Sequence, residues 1–220
     1  MLIVLQARTA SSRLPGKIFH TFYGDSILKR MLDIAKETSP LDNIVLTTGS
    51  SPTDDTIAQI ASHQGVRVIR GDEDNVLHRF YLAVKDSPSA YVMRITCDNY
   101  LIQPRVLKAM YQNCIQANSD YCYVEPLSHF SGEIIRRELI LDEYNANYSD
   151  MAREHVTYNI RLRNDINILK LPDNFMGINH RHRITLDTLS DLLLMKSLET
   201  KNPSFRKVDC LDALISLTRE

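Results

Sequence analysis

The chain has 220 residues, of which 44% are hydrophobic and 24% are charged, as in ordinary globular proteins. This length fits a single domain with a sizeable core, which we predict to span residues 1–220. The net charge of −1 creates no overall field that attracts nucleic acid or an anionic membrane surface, so we expect neither as a partner.

The cysteines are predicted to be reduced thiols. They stand at positions 97, 114, 122 and 210, and no two of them have the C-x-x-C spacing of a zinc site. The N-terminal apolar run is shorter than the roughly 7–15 apolar residues of a secretory signal, and no run approaches the roughly 18 of a membrane span. We therefore expect a cytoplasmic protein.

Apolar runs of strand length alternate with stretches of helical spacing through the first half of the chain. The runs predict strands over residues 2–5, 44–48, 66–69, 91–95 and 120–124. The intervening helices are predicted to begin after the capping residues Ser26, Thr53 and Asp74, and at Pro104. This rhythm predicts an α/β fold with a mostly parallel central sheet covered by helices.

The rhythm breaks after about residue 125, and we interpret residues 126–165 as an excursion from the main domain. Thr188 and Asp191 resemble a capping box that opens another helix. The remaining predicted elements are a strand at 133–135, a helix near 137–144, a polar helix near 150–162, strands at 166–171 and 183–186, and a last helix over 208–218.

The loop after the first strand, residues 6–17, is rich in donors for anions. It has no carboxylate, and its cations and serine hydroxyls are Arg8, Ser11, Ser12, Arg13 and Lys17. Arginine offers a rigid fork of donors and lysine a mobile point charge, and both suit phosphate oxygens. The loop lacks the spacing of a P-loop. It predicts a site for a polyanion, most simply a nucleoside triphosphate, and the alternative is a solvated surface loop.

Two carboxylates stand where a parallel sheet binds its ligands. Asp98 and Asp187 each directly follow a predicted strand, and ligands lie outside the carboxyl ends of strands in such sheets. Magnesium takes one or two carboxylates together with phosphate oxygens and water. The pair therefore predicts a Mg²⁺ site beside the basic loop. The alternative is that each Asp caps the following turn or helix.

The residue chemistry of two other segments leaves their roles open. His155, with Arg153 and Glu154 on a polar helix, has the chemistry of a general base, but a lone helical histidine is more often structural or exposed. Cys97 has no histidine nearby in the sequence and is interpreted as a buried, inert thiol.

The basic loop resembles the signature of a known family. Gln6–Lys17 resembles Q-A-R-x-x-S-[ST]-R-L-P-G-K of the cytidylyltransferases that include CMP-KDO synthetase, and the chain is most similar to the branch called spore coat polysaccharide biosynthesis protein F. The other segments that resemble the family's motifs, in the same order, are Thr47-Thr48 with Asp54-Asp55, Arg70 to Arg79, Arg94 to Asp98, Arg153 to Thr157, and Arg183 to Thr188.

The resemblance implies a three-layer nucleotide-diphospho-sugar transferase fold and a homodimer formed partly by residues 126–165. It implies attack by a sugar-like acceptor on the α-phosphate of CTP, release of pyrophosphate, and Mg²⁺ held by Asp98 and Asp187, in the synthesis of a surface polysaccharide. The residues implied in nucleotide binding are Gln6, Ala7, Arg8, Ser11, Ser12, Arg13, Lys17, Thr48, Arg70 and Arg94. Those implied in catalysis are Arg8, Arg13, Lys17 and Asp98, and those implied in substrate binding are Arg153, Glu154 and His155.

The chain departs from the family pattern at residue 97 and in the segment 126–133, and these departures bear on the identity of the substrate. Cys97 replaces the glycine that usually precedes Asp98, and a side chain there is expected to restrict the approach of a substrate. The usual P-x-G-x-D-x-E segment is reduced to residues 126–133.

Two alternatives to a cytidylyltransferase follow from the same fold. One is a glycosyltransferase that uses a nucleotide-sugar donor, and the other is a degenerate, non-catalytic nucleotide-binding subunit. The complete basic loop, which suits a triphosphate, argues against the first. The retained Asp98 and Asp187 argue against the second.

Overall fold

The computed structural model describes residues 1–146 and 149–203. Its strands are β1 Leu2–Gln6, β2 Thr21–Phe22, β3 Asp25–Ser26, β4 Ile44–Gly49, β5 Arg67–Gly71, β6 Tyr91–Thr96, β7 Tyr121–Val124, β8 Glu133–Arg136 and β9 Ile168–Leu171. Its α-helices are α1 Ile27–Thr38, α2 Asp55–His63, α3 Val76–Val84, α4 Pro104–Gln116, α5 Arg137–Asn145, α6 Asp150–His155 and α7 Leu189–Lys201.

Seven strands form one sheet in the order β5-β4-β1-β6-β8-β7-β9, and β2 pairs with β3 in a separate hairpin. Strands β5, β4, β1 and β6 are parallel, β8 is antiparallel to both β6 and β7, and β9 is parallel to β7. The chain moves from β1 outward through β4 to β5 and then crosses to the far side of β1 at β6. The carboxyl end of β1 is therefore the switch point at which such sheets bind their ligands.

Helices cover both faces of the sheet, so the predicted three-layer architecture with a mostly parallel sheet is confirmed. Successive side chains of a strand point to opposite faces. Accordingly Ile3 and Leu5 of β1 join the core under α1, α2, α4 and α7, whereas Leu2 and Val4 join the core under α3 and α5.

The predicted helix starts were partly wrong. Ser26 caps α1 as predicted. Thr53 does not cap α2, because it lies inside a 3₁₀ turn that Ser51 caps. Asp74 does not cap α3 either. Asn75, which stands directly before the first helical residue, provides the capping side chain.

Two predictions for the second half of the chain, the helix at 150–162 and the strand at 183–186, were also wrong. The polar helix predicted over 150–162 ends at His155, where Val156 adopts a positive φ of 29° and its buried side chain enters the core under α3. No strand forms at 183–186. The capping box of Thr188 and Asp191 is present at the start of α7. The helix predicted over 208–218 lies outside the described residues.

In the described part of the chain, no helix combines the length and the apolar character needed to cross a membrane.

A buried carboxylate joins three strands near the switch point. Glu133 of β8 is 6% exposed and accepts hydrogen bonds from Arg94 of β6, the Tyr121 hydroxyl of β7, and the Thr157 hydroxyl at 2.7 Å. Burial disfavours its charged form, but Arg94 and the two hydroxyls outweigh burial and hold the pKa of Glu133 below its usual value. Thr157 reaches Glu133 because the chain turns after α6.

We predict that Glu133→Gln lowers the free energy of unfolding at pH 7 by about 3 kcal/mol, since it leaves the Arg94 charge uncompensated. A carboxyl whose pKa is depressed on folding stabilises the protein above its unfolded pKa, and that stabilisation is lost as the pH falls through the folded value. The difference between wild type and variant should therefore shrink below pH 4.5, the ordinary value for Glu. Urea unfolding from pH 7 to pH 3 measures it.

The matched control is Glu138→Gln, because Glu138 is an exposed carboxylate whose arginine partner is its sequence neighbour Arg137. It should change the free energy of unfolding by less than about 1 kcal/mol. Equal stability of wild type and Glu133→Gln at pH 7, or a difference that persists unchanged to pH 3, would contradict the role assigned to Glu133.

Candidate active site

The basic loop leaves β1 at the switch point and is anchored to β4 by one buried carboxylate. Asp54 is fully buried, and its two oxygens accept the backbone N–H groups of Thr9 at 2.7 Å and Gly49 at 2.8 Å. The loop closes on itself where the Gly16 N–H donates to the Thr9 carbonyl, and Gly16 adopts a left-handed φ of 66° that favours glycine. These bonds aim Lys17 back toward the end of the sheet.

Lys17 lies between the two predicted metal ligands. Its Nζ is 2.8 Å from Asp98 Oδ2 and 2.6 Å from Asp187 Oδ1. Arg13 contacts the other oxygen of Asp187 at 3.1 Å. Burial disfavours the charge of Lys17, but the two carboxylates outweigh burial and raise the pKa of Lys17 above its usual value.

A backbone hydrogen bond brings the two aspartates together across 89 positions of sequence. The Leu186 N–H donates to the Asp98 carbonyl at 3.0 Å, which places Asp187 beside the end of β6. Asp191, in the first turn of α7, accepts the Asp187 N–H at 3.0 Å. The segment predicted as a strand thus delivers Asp187 to the site without forming a sheet ladder.

A cavity of about 360 Å³ opens above the loop. Most of the residues predicted from the sequence line it, namely Gln6, Ala7, Arg8, Ser11, Ser12, Arg13, Lys17, Arg94, Asp98, Glu154, His155 and Asp187. Residues from the loop, β6, α6 and the segment before α7 therefore converge on one volume. Their individual roles in ligand binding stay predictions.

Three predicted residues lie outside this cavity. Thr48 is fully buried and does not line it. Arg70 donates to the carbonyls of Gly49 and Ser51 and to Asp55 at 2.6 Å, so it braces the loop after β4. Arg153 lines a separate neighbouring cavity that also contains Arg8.

Two further cavities adjoin the aspartate pair. One of about 250 Å³ is lined by Arg94, Thr96, Asp98, His129, Glu133 and Asp187, among others. One of about 650 Å³ is lined by Arg13, His129, Arg181, His182, Arg183 and Asp187, among others. Asp187 therefore lines all three cavities, and Asp98 lines the loop cavity and the 250 Å³ cavity.

Cys97 is among the residues that line the loop cavity, so the expectation that its side chain restricts the approach of a substrate stays a prediction. Its side chain is 1% exposed and packs in the core under α1 and α4. Burial raises the pKa of the Cys97 thiol, with a further contribution from Asp98. The interpretation of Cys97 as a buried, inert thiol is consistent with this position.

Sequence reasoning missed the supporting residues. Thr157 lies in a segment that resembles a family motif, and Glu133 ends the departing segment 126–133, yet the sequence gives neither of them the role of holding Arg94 in place. Asp54 was noticed only as part of an Asp-Asp pair. His129 lay in the departing segment 126–133. The contacts that explain Asp54 and Glu133 join residues far apart in sequence, so no local motif could reveal them.

The aspartate pair fits a divalent metal in its donor chemistry. One oxygen from each carboxylate lies within 2.8 Å of a single cationic nitrogen, so both already converge on one positive charge. Among the described residues, no group of three or more His, Cys, Asp or Glu side chains forms a complete protein-ligated metal site. Two carboxylates suit Mg²⁺, which takes its other ligands from phosphates and water.

Comparison with solved structures supports the fold. A cytidylyltransferase from Leptospira borgpetersenii aligns over 99% of this chain and 93% of that chain with a TM-score of 0.85 and 24% identity. The structure of CMP:2-keto-3-deoxy-manno-octonic acid synthetase complexed with CTP aligns over 91% and 98%, with a TM-score of 0.68 and 17% identity. At these identities the likeness establishes the architecture.

Sequence comparison extends the result from fold to family. The chain is 30% identical over its whole length to the spore coat polysaccharide biosynthesis protein SpsF of Bacillus subtilis, of which it covers 94%. The profile of the cytidylyltransferases matches residues 2–207. The resemblance of the basic loop and of the motifs that follow it is therefore confirmed, and the chain belongs to the cytidylyltransferase family of nucleotidyltransferases.

Proposed function

We propose that the protein uses CTP to form a CMP-activated sugar or sugar acid, with release of pyrophosphate, in the cytoplasmic synthesis of a surface polysaccharide. The observation that most supports this proposal is that Asp98 and Asp187 line both the loop cavity and the adjoining 250 Å³ cavity. A phosphate placed between the two cavities meets donors from the loop on one side and an acceptor on the other. The relatives with CTP and with a polysaccharide role in their names support the choice of reaction.

In this proposal the chain acts mainly by positioning charge. Arg8, Arg13 and Lys17 bind the triphosphate, and an acceptor oxygen in the adjoining cavity attacks the α-phosphorus as the bond to pyrophosphate breaks. Asp98 and Asp187 hold Mg²⁺, which when bound neutralises charge on the phosphates. A transfer of this kind needs orientation and electrostatic stabilisation, so no protein nucleophile is required.

The 650 Å³ cavity supports an acidic acceptor. Arg183 is exposed there and forms no hydrogen bond with any other described residue. Arg181, on the same wall, pairs with Asp173. An acceptor carboxylate or phosphate is the natural partner of such a guanidinium.

We predict that CTP with Mg²⁺ stabilises the protein more than ATP, GTP or UTP does. At about 100 times its dissociation constant, CTP should raise the melting temperature by roughly 5–10 °C, because a ligand bound only to the native state stabilises it. Pyrophosphate release from each nucleotide, with a panel of sugar acids and sugar phosphates, identifies the reaction.

Equal shifts of the melting temperature with all four nucleotides would remove the cytidylyl assignment. A CTP-specific shift without turnover would favour the non-catalytic alternative, and consumption of a nucleotide sugar would favour the glycosyltransferase.

We predict that Asp98→Asn and Asp187→Asn each lower pyrophosphate release by at least about 100-fold, because each removes charge at the reacting phosphate. The double variant should lose little more than either single variant, since groups that act as a unit are not additive. Asp55→Asn is the control, because Asp55 also pairs with an arginine but lies outside the loop cavity. Near-normal, magnesium-dependent turnover in either single variant would identify that aspartate as a turn cap.

We also propose a homodimer formed partly by residues 126–165. Exposed apolar side chains in this segment, Leu127, Met151 and Leu162, support the proposal. Leu162→Glu should convert the dimer to a monomer in light scattering, because burying an unpaired charge in the interface makes the free energy of association unfavourable. The control is Leu193→Glu, whose leucine is almost equally exposed, at 63% against 66%, but lies outside the segment. A wild type with the mass of one chain would refute the dimer.

A further inference from the structure

Lys17 is held so that its ammonium occupies the space between the two aspartates. Its side chain is 15% exposed, less than that of either Asp98 at 25% or Asp187 at 22%. The residue begins a 3₁₀ turn directly after Gly16, and its backbone N–H donates to Leu14. The position of Lys17 therefore follows from the anchored loop, which Asp54 ties to β4, and from two close ionic contacts.

The charges at this point are already balanced. The two carboxylates carry two negative charges, and Lys17 and Arg13 supply two positive charges in direct contact with them. One oxygen of each aspartate is taken by the same ammonium. A divalent cation that binds those oxygens must displace Lys17, because two cations cannot share one pair of oxygens without strong repulsion.

The loop cavity provides a second place for the Lys17 ammonium. Lys17 lines that cavity together with Arg8, Ser11 and Ser12, which are the other donors suited to phosphate oxygens. A triphosphate in the cavity gives the ammonium a new anionic partner. If the ammonium moved to that partner, the oxygens of Asp98 and Asp187 that contact it now would be free for another cation.

We propose that Lys17 blocks the aspartate pair in the free protein, so that the free protein binds divalent metal poorly. The metal site becomes available only when a triphosphate draws Lys17 away from the two carboxylates. The inference rests on the proposed function for the identity of that triphosphate, but the competition between Lys17 and metal does not. It makes nucleotide and metal binding mutually dependent, and it disfavours loading of the site by free metal ions alone. Lys17 thereby acts on the metal site as well as on the phosphates.

The test measures Mn²⁺ binding to the nucleotide-free protein by calorimetry or by the loss of the free-ion electron paramagnetic resonance signal. Lys17→Met keeps most of the aliphatic stem and removes the charge. It should bind Mn²⁺ about tenfold or more tightly than wild type, because a charge-assisted bond at each aspartate no longer competes with the ion. Lys17→Met combined with Asp98→Asn should lose that gain.

The chain offers a matched control in Lys29. Its Nζ also contacts two aspartates, Asp25 at 3.1 Å and Asp33 at 2.9 Å, but the three residues lie away from the loop cavity. Lys29→Met should leave Mn²⁺ affinity unchanged within about twofold, since it removes the same charge beside aspartates of β3 and α1 that line none of the cavities around Asp98 and Asp187. If Lys17→Met fails to fold by circular dichroism, Lys17→Gln carries the same expectation.

The outcomes separate this inference from the proposed function. Mn²⁺ affinity that is unchanged or weaker in the folded Lys17 variant overturns the inference, even if wild type releases pyrophosphate from CTP. An equal gain in the Lys29 variant also overturns it, because the effect would then be one of overall charge. Tighter Mn²⁺ binding that depends on Lys17 and Asp98 supports the inference, even if CTP proves not to be the substrate.

Discussion

The contact of Lys17 with Asp98 and Asp187 is the interaction on which the geometry of the site depends. It joins the loop after β1, the end of β6 and the segment before α7, which are far apart in the sequence. Two carboxylates this close would repel each other without a cation between them. Because the sheet places β1 and β6 side by side, the ammonium needs only a short reach to meet Asp98. The hydrogen bond from Leu186 then brings Asp187 to the same point.

A second, deeper network supports this surface arrangement. Arg94 lines both the loop cavity and the 250 Å³ cavity, and Glu133, Tyr121 and Thr157 fix its position from below. A buried carboxylate is tolerated here because it accepts several hydrogen bonds, one of them from a cation. The antiparallel strand β8 provides Glu133. The break in the parallel sheet therefore has a consequence for the site, since it aims a carboxylate at the arginine of β6.

The departures from the family pattern have different structural meanings. Cys97 packs in the core and also lines the loop cavity, so the change from glycine adds a nearly buried side chain at the wall of that cavity. The segment 126–133 places His129 in the walls of both the 250 Å³ and the 650 Å³ cavities. Burial lowers the pKa of His129, which keeps it neutral near pH 7 and able to accept a hydrogen bond. The segment that departs from the family pattern thus contributes a histidine to the walls of both cavities.

The sequence by itself determined three features: the alternation of strands and helices in the first half of the chain, the mostly parallel sheet, and the basic loop that follows the first strand. These could be predicted because hydrophobic periodicity and the position of a loop after a strand are local properties. The sequence also singled out Asp98 and Asp187 as candidate metal ligands, a role that stays a prediction. Local pattern misjudged the helix caps at Thr53 and Asp74 and the segments at 150–162 and 183–186, where long-range contacts override propensity. Only the tertiary structure decided that Lys17 lies between Asp98 and Asp187, that Arg70 and Thr48 stand outside the cavity, and that Glu133 holds Arg94. These are contacts between residues distant in sequence, and only the packing of the sheet and its helices brings them within the few ångströms over which hydrogen bonds and ion pairs act.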